Sequence, residues 1–415
     1  MVVMSSTQHP TEIRHKVAGA PGAPVHAARV EMWRMGGGFG DKESQGKALV
    51  AAASGRAAKM RHDRCDDMIV TGKRHDFRIA HRVGFDSEGW IAGLDVTHWA
   101  RCGWAVDLSL PVAACAMLHA DNACWLPTVR ITFHRMRTTT ANATALRDFG
   151  GPQAMLGQDR IIDHVAHHTA RDPDDIRRAN DDPNVAGGLS APRPAAGASP
   201  PEDTSGSKTR AGGAIPEHRR GDTAPYGQQV ADFVLNDLTT RLRDTSDFAR
   251  RCSEIAAWNA DQPVLKRGLS MSPVKFGISF TLTHLDQAIA LVNVHRDGAI
   301  AMNHGGTEMV QGLFQNVAQV VAARFGVGAD PVRITATDTA KVPKTSATAA
   351  SSGSDTIYRS KAVGEPPFML GICAFLALWD AVAACGDGVT ASDLDAPAIP
   401  ERGLAAVQRQ RAVAL

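Results

Sequence analysis

One internal segment limits how this chain can fold more than any other feature. Among many Pro, Gly, Ala, Ser and charged residues, the only larger aliphatic residues between Asp181 and Pro225 are Val185, Leu189 and Ile215. Such a stretch cannot bury enough apolar surface to offset the entropy of ordering it. We therefore predict a disordered linker at 181–225, between a first region (1–180) and a second region (226–415).

The charge balance of the 415 residues argues against several classes of binding protein. The 45 Lys and Arg residues against 43 Asp and Glu leave a formal net charge of +2. A nucleic-acid binder is expected to carry a basic surplus, and only 5% of the residues are the aromatics that stack on single strands. The longest apolar run, 368–379, is too short for the roughly 20 residues that a bilayer requires. We expect neither a nucleic-acid nor a membrane partner.

The cysteines point to a reducing compartment. There are seven, an odd and scattered set without Cys-x-x-Cys spacing. Neither a disulfide framework nor an iron–sulfur or zinc site is predicted from such a set. We expect reduced thiols in a cytoplasmic protein.

Apolar patterning predicts strands and helices mixed in both regions, which is an α+β fold. The predicted strands are 25–33, 78–83, 90–99, 276–282, 288–295 and 332–337, with 78–99 forming a hairpin. The predicted helices are 43–53, 152–170, 173–180 with Asp172 as its cap, helices through 232–260, 311–324 and 367–384. Glycine-rich loops repeatedly lie where a strand leads into a helix, a position that suits an anionic ligand.

The first of these loops, Gly36–Gly40, has four glycines around Phe39. It is not a dinucleotide-binding fingerprint, because Asp41 stands at the third glycine position. A phosphate-binding P-loop fails as well, since Ala48 follows Gly46-Lys47. Either a tight turn needs these glycines or a ligand approaches the backbone closely, and we favour the ligand.

Three further motifs have a functional and a simpler interpretation. The segment from Arg147 to Gly151 presents a cation and a ring either to a cleft or simply to solvent. Glu365, between Gly364 and two prolines, is a general base if buried; from the residues alone, a carboxylate at a helix N-terminus is simpler. His164 and His168 lie four apart on a predicted helix, where a solvated face is favoured over a metal site.

Five segments together resemble a known family. In chain order they are Arg34-Met-Gly-Gly-Gly-Phe-Gly-Asp-Lys-Glu-Ser-Gln, Arg147-Asp-Phe-Gly-Gly-Pro-Gln, Lys275-Phe-Gly-Ile-Ser-Phe-Thr, His304-Gly-Gly-Thr-Glu-Met-Val-Gln-Gly and Lys361-Ala-Val-Gly-Glu-Pro-Pro. This order resembles the molybdopterin-binding large subunit of xanthine dehydrogenase, in the xanthine oxidase/aldehyde oxidase family.

The resemblance implies two mixed α/β lobes of the molybdenum-cofactor-binding type, incomplete, with a cofactor cleft between them. It implies a molybdenum hydroxylase that hydroxylates purines such as hypoxanthine or xanthine with water as oxygen donor. Electrons would pass to a partner subunit that carries iron–sulfur clusters and FAD. We expect the first region to lack an upstream part of the family module and the second to have a gap near 355/356. A catalytically inactive remnant and a subunit-interaction module therefore stay as alternatives.

The resemblance also assigns roles to individual residues. It implies that Glu365 is the general base, that Glu43 orients the substrate, and that no protein atom binds the metal. The implied substrate-binding residues are Phe149, Phe280, Thr281 and Cys115, the last in place of an arginine of the family. The implied cofactor-binding residues are Gly37, Gly38, Phe39, Gly40, Arg147, Gln311, Ala349, Ala350 and Ser351. Family glycines are replaced by Asp41, Asp148 and Val310, and these changes are expected to oppose cofactor binding.

Overall fold

Strands and helices are mixed along the chain, which confirms the predicted α+β class. The computed structural model describes residues 1–44, 55–181, 224–228, 230, 234–277, 281, 289–342, 365–387 and 390–413. The strands are β1 (Val2–Met4), β2 (Arg29–Met32), β3 (Phe77–Phe85), β4 (Ile91–Gly103), β5 (Val129–Arg137), β6 (Ala290–Val294), β7 (Ile300–His304), β8 (Val332–Ile334) and β9 (Thr337–Asp338). The helices are α1 (Pro10–Gly19), α2 (Arg64–Val70), α3 (Ser109–Leu118), α4 (Gly151–Thr169), α5 (Pro173–Asn180), α6 (Leu235–Thr245), α7 (Phe248–Asp261), α8 (Leu313–Phe325), α9 (Pro366–Met369), α10 (Gly371–Ala383) and α11 (Pro400–Val413). None of these helices is long and apolar enough to cross a bilayer.

The sheet β3–β4–β5 packs against α4 and holds the main core of the first region. β3 and β4 are antiparallel, with Phe77 opposite Ala100, whereas β4 and β5 are parallel. The core residues that join the sheet to α4 and α5 are Ile91, Leu94, Val96, Ile161, Ile162, Val165 and Ile176. Burial of each such side chain stabilises the fold by about 1.5–3 kcal/mol. This packing fixes the position of the N-terminus of α4, which follows the 147–150 segment.

A second sheet, β1–β2–β9, contains strands from both predicted regions. β1 runs parallel to β2, and β9 pairs antiparallel with β2, with Thr337 opposite Met32. Next to this pairing, Arg29 donates from Nε to Oδ1 of the fully buried Asp338 at 3.0 Å. The two regions thus share a sheet, and the division at 181–225 stays a prediction, since residues 182–223 lie outside the described part of the chain.

The remaining packing positions two segments that lead to the site. The sheet β6–β7–β8 packs on α8 through a core of Ile300, Met302, Val321, Ala322 and Val332. Elsewhere, Met369 of α9 and Leu376 of α10 pack against Met155 of α4. Glu365, which immediately precedes α9, is therefore held next to the start of α4.

Several sequence predictions are confirmed and others fail in part. The hairpin corresponds to β3 and β4, and α4 and α5 lie where predicted, with Asp172 accepting a hydrogen bond from the amide of Asp174 at 2.8 Å. The predicted strand at 25–33 is shorter, because a 3₁₀ turn at Val25–Ala27 follows Pro24 and leaves only β2 extended. Most of the predicted helix at 43–53 and strand at 276–282 lies outside the described residues. The elements not predicted are β1, α1, α2, α3, β5, β7 and α11, and the predicted strand 332–337 is divided into β8 and the start of β9.

The predicted solvated histidine face on α4 is wrong for His164. Its ring stacks on that of His81 with centroids 5.4 Å apart, and Trp379 lies on the α10 side. Burial lowers the pKa of His164 to about 4, so this side chain is a neutral packing residue. His168 is exposed, as predicted, and no group of three potential metal ligands occurs among the described residues.

A buried ion triad ties α5 to α4. The Arg177 guanidinium donates to Asp159 at 3.3 Å and to Asp163 at 2.8 Å, and all three side chains are almost completely buried. Asp159 also accepts a hydrogen bond from the Ser272 hydroxyl, which belongs to the second region. Removing the cation of this triad would leave two carboxylates without their guanidinium partner in a low-dielectric core.

We therefore predict that Arg177→Met lowers the free energy of unfolding by about 3–5 kcal/mol. Arg178→Met, on the exposed face of the same helix, is the matched control and should change stability by no more than about 0.5 kcal/mol. Denaturant titration followed by circular dichroism measures both. Equal effects of the two variants would contradict the role given to the triad.

Candidate functional site

The glycine-rich loop 36–40 begins just beyond β2. The amide of Met35 donates to the carbonyl of Glu308 at 3.2 Å, which joins this loop to the loop before α8. Gly37 and Gly40 have φ values of +111° and +92°, which favour glycine. Among the described residues, no backbone carbonyl accepts a hydrogen bond from the amides of residues 36–39. This run of amides is a potential cradle for an anion.

Gln8, which the sequence analysis did not single out, fixes the end of the glycine loop through hydrogen bonds. Its Oε1 accepts hydrogen bonds from the amides of Gly40 at 2.8 Å and Lys42 at 3.4 Å. A Cβ at Gly38 would lie 2.5 Å from the Gln8 amide group, and one at Gly40 would lie 2.8 Å from the backbone of Ala145. Protein atoms thus account for the close approaches at these two glycines, and a ligand contact there stays a prediction.

The loop before α8 is organised by a buried carboxylate, Glu308. Its two oxygens accept hydrogen bonds from the amides of Val310, Gly312 and Phe314 at 3.0–3.1 Å. Gln311 lies on this loop, is exposed, and donates from Nε2 to the carbonyl of Thr307 at 3.0 Å. Its side-chain amide is therefore engaged within its own loop.

Two arginines gather around aromatic rings at the edge of the glycine loop. The amide of Arg147 donates to the carbonyl of Phe39 at 2.7 Å, and its guanidinium carbon lies 5.8 Å from the Phe39 ring centroid and 5.3 Å from that of Phe368. Arg74 lies 4.7 Å from the Phe368 centroid and donates to the carbonyl of Arg147 at 3.1 Å. Phe39 is 59% exposed. The site therefore offers two cations and an accessible ring.

Glu365 lies directly against the 147–150 segment. Its Oε1 accepts a hydrogen bond from the amide of Asp148 at 3.4 Å. Burial raises the pKa of Glu365, while this hydrogen bond and the charge of Arg147 act in the opposite direction. A half-buried carboxyl group with a raised pKa is suited to accept a proton near neutral pH.

Asp148 has the least favourable backbone conformation and surroundings of the site residues. It has a φ of +66°, a value that favours glycine, and its side chain is completely buried. Neither carboxyl oxygen has a hydrogen-bond partner among the described residues. Burial, and then the charge of Glu365, raise the pKa of Asp148 to about 7.

Cys115 reaches the site from α3 without exposing its sulfur. The thiol is 2% exposed and contacts the carbonyl oxygen of Asp148 at 3.8 Å. Burial raises the pKa of Cys115 to about 12, so the group is a neutral thiol. It cannot supply the positive charge of an arginine.

Phe276, Gly277 and Thr281 of the second region contact α3 or the residue that follows it. The amide of Gly277 donates to Nε2 of His119 at 3.1 Å, and the His119 ring stacks on Phe276 at 4.8 Å. Thr281 donates from Oγ1 to the carbonyl of Pro111 at 3.1 Å. Because Nε2 accepts a hydrogen bond, the His119 proton is on Nδ1, where it bonds to the carbonyl of Cys115 at 2.7 Å.

The structure thus brings together residues from both predicted regions. Arg147 contacts Phe39, and the neighbouring Asp148 contacts Glu365. The loop that carries Gln311 is joined to the glycine loop through the hydrogen bond of Met35. Glu43 is buried just after the glycine loop, and Phe149 lies between Asp148 and the start of α4. Phe280, Ala349, Ala350 and Ser351 lie outside the described residues. The site residues that sequence reasoning missed are Gln8, Arg74, His119 and Glu308. The first three act through contacts distant in sequence. The Glu308 carboxylate instead organises its own loop through short-range hydrogen bonds.

Comparisons with protein families agree with this arrangement. Models of molybdopterin cofactor-binding domains match residues 1–181 and 241–362. Xanthine dehydrogenase of Drosophila subobscura is 35% identical over 356 residues, which are 84% of this chain and 24% of that protein. Xanthine dehydrogenase 1 of Arabidopsis thaliana is 36% identical over 359 residues, 85% of this chain and 24% of that protein. The chain thus spans about a quarter of the length of these curated relatives.

Solved structures share the fold. An aldehyde oxidoreductase from Desulfovibrio gigas superposes with a TM-score of 0.64 at 20% identity, covering 85% of this chain and 34% of that one. Quinoline 2-oxidoreductase from Pseudomonas putida 86 superposes with a TM-score of 0.64 at 19% identity, covering 83% of this chain and 41% of that one.

The strain at Asp148 generates a stability prediction. Asp148→Gly relieves a left-handed backbone and removes a buried carboxyl, so at pH 8 it should stabilise the chain by about 2–4 kcal/mol. Val310→Gly is the matched control, because Val310 has a φ of +74° but is 77% exposed. It should gain only about 0.5–1 kcal/mol. Denaturant unfolding at pH 8 measures both, and a loss of stability in Asp148→Gly would contradict this account.

Proposed function

The chain belongs to the xanthine dehydrogenase/aldehyde oxidase family, and we propose that it is a molybdenum hydroxylase chain that acts on planar purines such as hypoxanthine or xanthine. In this proposal the site holds the molybdenum cofactor and orients the heterocycle against Glu365. Electrons leave to a partner subunit that carries iron–sulfur clusters and FAD. The names of the relatives support the substrate class, and the site residues support the cofactor.

The observation that carries the proposal is the convergence of an anion cradle on the half-buried carboxyl group of Glu365. The amides of residues 36–39 have no backbone acceptors among the described residues, and Arg147 and Arg74 lie at the same edge of the loop. Backbone amides and guanidinium groups are the donors that suit a pterin phosphate. The donor set therefore fits an anionic cofactor, although Asp148 opposes it.

The proposal gives the residues of the site distinct roles. Gly37, Gly38, Phe39, Gly40 and Arg147 would hold the cofactor, with Gln311 and the predicted Ala349, Ala350 and Ser351 completing its surroundings. When bound, the molybdenum cofactor supplies two-electron oxidation and transfers an oxygen that originates from water.

The carboxyl groups and rings of the chain would act on the substrate and on protons. Glu365, half-buried and with a raised pKa, accepts a proton during oxygen transfer. Glu43 orients the substrate through hydrogen bonds. Phe149 and Phe280 stack on its two faces beside Thr281, which selects flat rings.

A second candidate function, a catalytically inactive remnant or subunit-interaction module, is favoured by Asp148 and Cys115. A buried carboxyl group without a hydrogen-bond partner among the described residues adds negative charge beside an anionic cofactor. A neutral thiol at position 115 cannot stabilise charge that develops on a purine oxygen. Both features oppose catalysis without altering the fold.

We predict that the full chain, co-expressed with an iron–sulfur/FAD subunit in a host that makes the cofactor, contains about one molybdenum per chain. Elemental analysis and pterin fluorescence after oxidation measure the loading. Xanthine-dependent dye reduction measures turnover. Glu365→Gln should keep the metal but lower kcat by about 10²–10⁴-fold, since it removes the base.

Glu401→Gln, an exposed acidic residue of α11, is the control and should leave loading and turnover unchanged. A metal-free chain that still binds the partner subunit would support the interaction module and overturn the enzymatic proposal. Full turnover in Glu365→Gln would remove Glu365 from the mechanism.

A further inference from the structure

A cavity at the other end of α4 lies apart from the candidate site. It has a volume of about 420 Å³ and lies between the C-terminal half of α4, the start of α5, α7 and α10. Asp163, the first α4 residue on its wall, lies about 18 Å along the helix from Gly151. Because α7 and α10 belong to the second predicted region, the cavity forms where the two regions meet, and such junctions often hold ligands.

We propose that this cavity binds a small organic cation, an ammonium group attached to an apolar ring or chain. The assignment does not rest on the proposed function, because the glycine loop, Arg147 and Glu365 do not line the cavity. Three features of the described residues carry it: an apolar wall, a carboxylate that pairs with no cation, and a buried donor that lacks an acceptor.

The wall of the cavity is largely apolar. The apolar side chains that line it are Phe248 and Ile255 of α7, Met271, and Leu376 and Trp379 of α10. Transfer of an apolar ring from water to such a wall favours binding. The volume also lies in the range of small-molecule sites, about 300–1,000 Å³.

The Asp380 carboxylate is the group that would bind the ammonium ion. It is half-buried, its Oδ2 accepts a hydrogen bond from the amide of Leu269 at 3.3 Å, and no cationic side chain in the described part of the chain pairs with it. Burial raises the pKa of Asp380 to about 6, so the group is ionised at pH 8. Asp172, at the rim, adds a second negative charge nearby.

The other carboxylates and guanidinium groups of the wall are already paired with an opposite charge. The pairs are Asp163 with Arg177, Asp174 with Arg243, and Arg171 with Glu88. The cavity therefore keeps an excess of negative charge at Asp172 and Asp380. This excess favours a cation over a neutral or anionic ligand of the same shape.

The indole of Trp379 supplies the third feature. This side chain is 1% exposed and lines the cavity, and its Nε1 finds no acceptor among the described residues. A buried N–H group without an acceptor lowers the stability of the fold, and an oxygen of a bound ligand would satisfy it. We therefore expect the preferred ligand to carry a hydrogen-bond acceptor besides its ammonium group.

A ligand-observed NMR titration of the full chain at pH 8 tests the assignment with three molecules of similar shape: 2-phenoxyethylamine, the neutral 2-phenoxyethanol and the anionic phenoxyacetate. The amine should bind with a Kd of about 1 mM or tighter. The other two should bind at least about tenfold more weakly, because only the amine can pair with Asp380. The amine should also slow alkylation of Cys252, which lines the cavity, and leave that of the exposed Cys65 unchanged.

Asp380→Asn should lower the affinity for the amine by about tenfold or more, although it keeps an acceptor for the amide of Leu269. Asp175→Asn, an exposed carboxylate of α5 outside the cavity, is the matched control and should leave the affinity unchanged. Should Asp380→Asn fail to fold, Ala256→Phe narrows the cavity from an exposed position of α7 and should also weaken binding. Ala257→Phe, exposed on the same helix but outside the cavity, is its control.

The proposal is overturned if the amine does not bind up to about 10 mM, or if the alcohol or the carboxylate binds as tightly as the amine. An unchanged affinity in Asp380→Asn or Ala256→Phe, or unchanged alkylation of Cys252 at saturating amine, would overturn it as well. Because binding is measured without cofactor, a chain that never loads molybdenum can still show this site. Conversely, an amine that does not bind would leave the cofactor proposal intact.

Discussion

The pairing of β2 with β9 is the contact on which the rest of the site depends. β2 leads directly into the glycine loop, and β9 follows the sheet that carries the Glu308 loop, so this short antiparallel pair brings two distant parts of the chain to one place. The buried Asp338 carboxylate is compensated by Arg29 at this junction. The bond from Met35 to Glu308 then aligns the two loops. Without this pairing, the loop before α8 would not be held beside the glycine loop.

Charge compensation distinguishes the structural core from the candidate site. In the Asp159–Arg177–Asp163 triad, every carboxyl group has a cation or a hydroxyl donor, and the arrangement is buried and complete. At the site, Asp148 is equally buried but has no hydrogen-bond partner for its carboxyl among the described residues, although two arginines lie near. Buried carboxyl groups without a hydrogen-bond partner lower the stability of the fold, and they are concentrated where a protein binds ligands or moves protons.

Several parts of the fold could be predicted because their signals are local. The hairpin of β3 and β4 follows from alternation of apolar residues, and α5 follows from Asp172 before Pro173. By contrast, α3 is apolar on most faces, with Pro111 near its start, so periodicity cannot separate it from a buried strand. β5 carries three charged or histidine side chains after Thr132 and gains strand structure through its parallel pairing with β4.

The sequence by itself determined the family and the identity of most site residues, because glycines, Arg147 and Glu365 occur in short motifs whose order is readable along the chain. Only the tertiary structure decided which of them meet. Arg74 joins Arg147 across Phe368, Gln8 supports the glycine loop, and Asp148 contacts Glu365 over a separation of 217 residues. The physical reason is that burial and charge are properties of a neighbourhood in space. A carboxyl group acquires a raised pKa from the residues packed around it, and those residues cannot be identified from their spacing along the sequence.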